Sequence, residues 1–270
     1  MRRGTVGISV VLFIGLLLAD AAIPACAADT AADAGRTAAT TSTTTQTAAQ
    51  NATQTAAPGK AASMPSAMDE RMHACTTCHG VQGQGRNNDY FPRIAGKPAD
   101  YLFNQLIAFR DGGRNYPPMG YLLAFLPDPY LHKIAEYFAA LQPPYPNPDT
   151  QPLPATVLDY GKTLVMQGDP SRKLPACASC HGARLTGTQP GIPGLLGLHA
   201  SYIAGQMGTW RSGTRHAIAP DCMHTIAVKL TDRDITAVSS WLARQPRPAD
   251  PTPAPKHTGR LPMACGSQPE

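Results

Sequence analysis

The chain has 270 residues, enough for one or two domains, and only 6% of them are aromatic. Its formal net charge is +5, but the sequence has no lysine or arginine cluster of the kind that follows a phosphate backbone. The composition therefore argues against a nucleic-acid partner and favours a surface of mixed charge.

Residues 1–27 have the pattern of an export signal. Arg2 and Arg3 precede a thirteen-residue apolar run, and Ala25-Cys26-Ala27 fits a small-x-small cleavage site. The run is too short to favour a membrane-spanning helix. We therefore expect export, which in a bacterium means the periplasm. Cys26 also fits a lipoprotein processing box, although Pro24 suits it poorly, and a lipid there would tether the protein to a membrane.

The next segment, residues 28–67, consists almost entirely of Ala, Thr, Ser, Gln and Asn. Such a segment buries too little apolar surface to offset the entropy lost on ordering it. The sequence therefore predicts a disordered spacer between the export signal and the folded part.

One six-residue pattern occurs twice, as Cys-Thr-Thr-Cys-His-Gly at 75–80 and as Cys-Ala-Ser-Cys-His-Gly at 177–182. A lone C-x-x-C would fit a zinc half-site or a redox dithiol. The histidine that follows directly, and the repetition at an offset of 102 residues, favour covalent attachment of a c-type haem. Two thiols reach the porphyrin vinyl groups, and the histidine then lies under the iron. The sequence thus predicts two covalently bound haem c groups (iron), with thioether bonds and proximal ligands from Cys75, Cys78, His79, Cys177, Cys180 and His181.

Residues 68–142 form the first predicted folded unit. A short helix over 68–73 leads into the first motif, and a glycine-rich loop follows it. Apolar residues at three- and four-residue steps predict a helix over 100–110, which Gly112-Gly113 ends. A loop beside two prolines carries Met119, and a last helix is predicted over 129–141.

Residues 143–155 are rich in proline and predict an extended linker. The second unit, 156–245, then repeats the first and begins with a predicted helix over 156–167. Its matches have an offset of 101 residues and, after a short insertion, of 104 residues: Tyr101 and Tyr202, Gln105 and Gln206, Arg110 and Arg211, Arg114 and Arg215, Met119 and Met223, Leu126 and Leu230, Asp128 and Asp232. The chain is therefore an internal duplication. A second proline-rich segment, 246–270, predicts an extended tail over the second unit.

The sixth position of each haem iron can hold a methionine, a histidine or no protein ligand. Met119 and Met223 match in the duplication, each seven residues before a matching leucine, so we predict His/Met ligation at both irons. His224 is a competitor because it stands beside Met223. Met207 matches Leu106 and is assigned to the core, and Met263 has no counterpart in the first unit.

Counting the cysteines leaves two that have no assigned role. Seven cysteines less Cys26 and the four motif cysteines leave Cys222 and Cys265. Exported proteins rarely keep two free thiols, so we predict a disulfide that holds the tail against the segment of Met223. Two unpaired thiols are the alternative.

Over about 68–245, each unit has in the same order a C-x-x-C-H-G motif, a Pro-x-x-x-Gly segment, a Tyr-x-x-x-Gln helix that ends in Arg-x-Gly, and a predicted loop with a methionine before the last helix. This ordered set resembles a class I c-type cytochrome in duplicate, and most closely the dihaem cytochrome c4 family. The resemblance implies an all-α fold of two tandem class I cytochrome c domains about a pseudo-twofold axis, with haem propionates near the interface. It also implies that the carbonyls of Pro92 and Pro193 accept hydrogen bonds from the proximal imidazoles.

The resulting hypothesis is a periplasmic dihaem carrier, not an enzyme. It would take electrons from a membrane quinol-oxidising complex or a dehydrogenase and shuttle them in a respiratory chain to a membrane terminal oxidase. The alternative is an electron-transfer subunit of a membrane-bound dehydrogenase complex. A dihaem peroxidase would need one open sixth position, against which the two matching methionines argue.

Overall fold

The computed structural model describes residues 67–87, 90–256 and 261–268. The predicted export signal and all of the predicted spacer except Ala67 lie outside these residues. The described part is mostly helical, with one pair of two-residue strands. Its elements are α1 (Ala67–Arg71), α2 (His73–His79), α3 (Ala99–Arg110), α4 (Pro117–Leu123), α5 (Asp128–Ala140), α6 (Ala155–Met166), α7 (Ala178–His181), β1 (Gly187–Thr188), β2 (Ile192–Pro193), α8 (Ala200–Arg211), α9 (Cys222–Ala227) and α10 (Asp232–Ala243).

The first half is built on the packing of α3 against α5. The buried face of α5 consists of Leu131, Ile134, Ala135 and Phe138, at helical spacing. The predicted helices over 100–110 and 129–141 are confirmed to within one residue at each end. The lead helix begins at Ala67, one residue before the predicted start, and the first cysteine motif lies inside α2.

The second half packs α10 against both α6 and α8. Leu164 and Val165 of α6 and Ile203 of α8 meet Val238 and Leu242 of α10 in one buried cluster. The lead helix predicted over 156–167 is observed as α6, shifted by one residue. The antiparallel pair of β1 and β2 is the exception to an all-helical fold among the described residues.

The segments that carry the two candidate methionine ligands are helical, so the predicted loops are wrong. Met119 lies in α4, which has proline at its first two positions, where a helix does not need the missing N–H. Met223 lies in α9, whose first turn is capped because the Asp221 side chain accepts from the His224 N–H. Both methionines are therefore held on rigid elements.

Residues 143–154 of the linker and the described residues of the tail form no helix or strand, and both segments are fixed to folded parts. Arg93 is buried and donates to the carbonyls of Pro143 and Pro144 at 2.8 and 2.9 Å. In the tail, Ala254 exchanges two backbone hydrogen bonds with Gly187 and Gln189. A second attachment follows from a disulfide between Cys222 and Cys265, which confirms the predicted pairing.

The duplication is visible in repeated contacts as well as in sequence. Arg110 pairs with Asp128 at 2.6 Å, and the matching Arg211 pairs with Asp232 at 2.7 Å. Each arginine also donates to the carbonyl of the leucine two residues before its aspartate. Two halves with the same exposed ion pair at the same place are copies of one fold.

Among the described residues, no helix has both the length and the apolar character needed to cross a membrane.

The second half contains a buried carboxylate, Asp234, that has no counterpart in the first half. The Asp234 side chain is 1% exposed and accepts from Arg172, Tyr160 and the Thr231 backbone. Burial alone would raise the pKa of Asp234, but these hydrogen bonds outweigh burial and hold it well below its usual range. The first half has Tyr130 at the matching position.

Asp234→Asn is expected to lower the free energy of unfolding by about 2–4 kcal/mol, because it leaves Arg172 without its buried partner. Since the folded pKa is depressed, this contribution is present above about pH 4 and is lost as the pH falls further. Denaturant unfolding at several pH values measures it. The matched control is Asp232→Asn, whose side chain is 87% exposed and whose ion pair contributes about 0–1 kcal/mol. Equal losses in the two variants, or a loss that persists at low pH, would contradict the assignment.

Candidate haem sites

Both motif histidines are oriented by the same hydrogen bond. His79 and His181 are the last residues of α2 and α7, and the glycine after each has a φ of 84°. The Nδ1 atoms lie 2.9 Å from the Pro92 carbonyl oxygen and 2.7 Å from that of Pro193. A carbonyl only accepts, so Nδ1 must carry the ring proton. The lone pair of each imidazole is therefore on Nε2, where it can bind a metal.

Both imidazoles are also kept neutral by burial. Burial lowers the pKa of His181 to about 4 and outweighs the opposite effect of its hydrogen bond to Pro193. Burial lowers the pKa of His79 as well, against the effect of its bond to Pro92. A neutral imidazole is the form that coordinates iron.

The four motif cysteines are free thiols in the structure. Burial raises the pKa of Cys75 and of Cys177 to about 11, so neither is the reactive thiolate of a redox dithiol. The described residues also contain no group of three or more His, Cys, Asp or Glu side chains that could hold a metal ion. These observations argue against a zinc site or a redox dithiol at the two motifs. They leave the four thiols available for thioether bonds.

An apolar cavity lies beside the second motif, and its residues fit a large planar group. It is lined by Cys177, Cys180, His181, Pro193 and Met223, which brings all the predicted residues of the second site together. The space between its walls, including the open mouth, is about 1500 Å³. A haem supplies a large apolar face for such a cavity, which also explains how a chain poor in aromatics obtains a core.

The methionines and His224 are placed as follows. Met119 and Cys75 both pack against the buried core cluster of the first half. The ring of His224 donates from Nδ1 to the Trp210 carbonyl at 2.8 Å and is not part of the cavity lining. Met223 thus lines the cavity, whereas the His224 side chain is held by a backbone carbonyl outside it.

The polar junction between the halves also borders this cavity. The Gln105 and Gln206 carbonyl oxygens each accept from both Arg114 and Arg215, at distances from 2.7 to 3.1 Å. Arg114 also donates to the Tyr202 hydroxyl at 2.9 Å. Each residue of this cluster has a matching residue in the other half. The sequence did not show that these matching residues contact each other across the junction.

The sequence reasoning did not place three of the cavity-lining residues at the site. Met207, assigned to the core, does pack on the core cluster, but it also lines the cavity, and so does Met263 of the tail. Lys97 of the first half lines the same cavity of the second half. Its one sequence signal is a break in the duplication, because the matching residue is Leu198.

Comparison with known proteins places this geometry in a family. The sequence model described as Cytochrome c matches residues 158–245. The thiosulfate dehydrogenase electron acceptor of Thiomonas intermedia is 35% identical over 197 residues, which cover 73% of this chain and 88% of that protein. Cytochrome c4 of Pseudomonas aeruginosa is 34% identical over 184 residues, with coverage of 67% and 89%.

A solved structure agrees. The reduced recombinant cytochrome c4 from Pseudomonas stutzeri superposes with a TM-score of 0.58 at 30% identity, covering 65% of this chain and 95% of its own. This match extends over both halves of the described fold, beyond the part that the family sequence model covers. The chain therefore belongs to the dihaem cytochrome c4 family of class I c-type cytochromes, and it transfers electrons through two covalently bound haem c groups.

Proposed function

We propose that the protein is a periplasmic carrier, not an enzyme, that takes electrons from a dehydrogenase or quinol-oxidising complex and delivers them to a membrane terminal oxidase. The observation that carries the proposal is the repeated proximal geometry, in which both imidazoles are neutral and fixed by a proline carbonyl. Two matched sites with a methionine on a rigid helix suit reversible electron storage better than ligand activation.

The proposed sites follow the duplication. The thioether cysteines, proximal histidines, orienting carbonyls and distal methionines are Cys75, Cys78, His79, Pro92 and Met119 in the first half, and Cys177, Cys180, His181, Pro193 and Met223 in the second. When bound, each haem iron supplies one reversible electron through its ferric and ferrous states. The chain's own residues orient the imidazoles, exclude water through the apolar walls, and hold the two halves together.

We also propose the domain limits 68–142 and 156–245 for the two cytochrome units. The linker 143–155 and the tail 246–270 separate and follow them, and an export signal (1–27) and a spacer (28–67) precede them. The helical elements from α1 to α5 and from α6 to α10 support these limits.

A subunit or direct partner of a dehydrogenase is the second candidate. It is favoured by the relative from Thiomonas intermedia, which is named as the electron acceptor of thiosulfate dehydrogenase. A thiosulfate-oxidising enzyme is therefore our first choice of electron donor. If Cys26 is lipidated, the same protein would work at the membrane surface.

An exposed apolar face beside the first site supports direct contact with such a donor. Tyr121 is 82% exposed and Phe125 is 97% exposed, one turn apart on and just after α4, the helix of Met119. The stretch 115–127 contains no charged side chain. The matching residues of the second half are Thr225 and Lys229, so the fold itself does not need two aromatic residues there.

Replacing Met119 or Met223 by alanine is expected to open one sixth position in each case. The reduced wild type should bind no carbon monoxide, each single variant should bind one equivalent, and the double variant two. Difference spectra with a haem-to-protein ratio measure this. Met207→Leu and Met263→Leu are matched controls, because both side chains line the second cavity. Carbon monoxide binding by Met263→Leu but not by Met223→Ala would assign the ligand to the tail.

Replacing Tyr121 and Phe125 by serine is expected to slow electron uptake from reduced thiosulfate dehydrogenase at least tenfold, with both reduction potentials unchanged. Because 115–127 is uncharged, the wild-type rate should depend weakly on salt. Stopped-flow reduction at two ionic strengths measures both effects. Thr225→Ser with Lys229→Ser is the matched control on the second half. An unchanged rate in the aromatic double variant would move the docking face elsewhere.

A further inference from the structure

Lys97 crosses from one half of the molecule into the haem site of the other. It lies just before α3 in the first half and is only 8% exposed. Its Nζ donates to the carbonyl of Gly194, in the second half, at 2.8 Å. Gly194 directly follows Pro193, whose carbonyl orients His181. Lys97 also lines the cavity that His181, Cys180 and Met223 line.

The charge of Lys97 has no acidic partner among the described residues. None of the ion pairs that these residues form includes Lys97. Lys97 interacts electrostatically with Arg93 and His181, and neither side chain carries a negative charge. Burial, with a smaller effect from the nearby Arg93, lowers the pKa of Lys97 to about 7, as expected for an ammonium without an acidic partner.

Arg215 brings a second cation to the same cavity; it lies over the Trp210 ring at 3.6 Å but forms no ion pair with a carboxylate among the described residues. It is 3% exposed, lines the cavity, and donates to the amide oxygens of Gln105 and Gln206 instead of to carboxylates. Two buried cations from opposite halves, without an acid beside them, are costly unless an anionic group completes the site. A haem carries two carboxylates and would supply that charge.

The two haem sites differ at this point. The duplication places Leu198 at the position of Lys97, so the first site receives no corresponding ammonium from the second half. An extra buried positive charge favours the ferrous state of a nearby haem, since reduction lowers the net charge of the iron by one.

We propose that Lys97, contributed by the first half, is a binding and tuning residue of the second haem: its ammonium pairs with a carboxylate of that haem and raises its reduction potential. This inference rests on the proposed dihaem sites. The reduction potential of the second haem then depends on the contact between the two halves. The two haems therefore differ in potential, although their sequence motifs are alike.

The test uses the full chain with both haems and compares Lys97→Gln with Lys97→Arg. Glutamine keeps a hydrogen-bond donor for the Gly194 carbonyl but removes the charge, whereas arginine keeps both. Lys133→Gln is the matched control, because Lys133 is an exposed lysine of the same half. Both reduction midpoints are followed by spectroelectrochemical titration. Repeating the titration in a Met119→His background identifies the first haem, whose potential that ligand change lowers.

Lys97→Gln is expected to lower the midpoint of the second haem and leave that of the first unchanged, and Lys97→Arg and Lys133→Gln should match the wild type. Loss of the second haem alone from Lys97→Gln would also support the contact. Unchanged midpoints, or equal shifts of both, would overturn the inference and leave Lys97 as a structural donor. A wild type that lacks two haems would instead overturn the proposed function.

Discussion

The hydrogen bond from a motif histidine to a proline carbonyl is the interaction on which each site depends. It settles which imidazole nitrogen carries the proton, and thereby leaves Nε2 as the nitrogen whose lone pair can bind iron. It also joins the end of a short helix to a segment more than ten residues away, so that the thiols, the imidazole and the cavity wall keep one geometry. The same bond in both halves is the clearest structural sign that both sites do the same work.

The two halves differ in several structural features, and these differences distinguish the two haem sites. The second half has the buried Asp234 cluster and a disulfide-held tail, and the first half has Tyr130 at the matching position and an exposed aromatic face beside Met119. Lys97 gives the second site a charge for which the first has no equivalent. A duplicated electron carrier needs such differences if its two ends are to meet different partners.

Much of this could be predicted from the sequence because its signals were local or repeated. The spacing of the cysteines and histidines, the helical periodicity of α3 and α5, and the disulfide by elimination needed no knowledge of packing. The loops predicted around Met119 and Met223 were wrong because two prolines and one Asp cap start short helices that lack a long periodic pattern. The reach of Lys97 into the other half could not be predicted, since it depends on how the halves dock.

The most direct test of the central claim is the haem content of the purified protein together with its oxidised and reduced optical spectra. The account predicts two covalently bound haems per chain, both low-spin, each exchanging one electron, and both indifferent to carbon monoxide. A single haem, or one high-spin haem that binds carbon monoxide in the wild type, would contradict the symmetric His/Met carrier. Peroxide turnover would then be the reaction to examine.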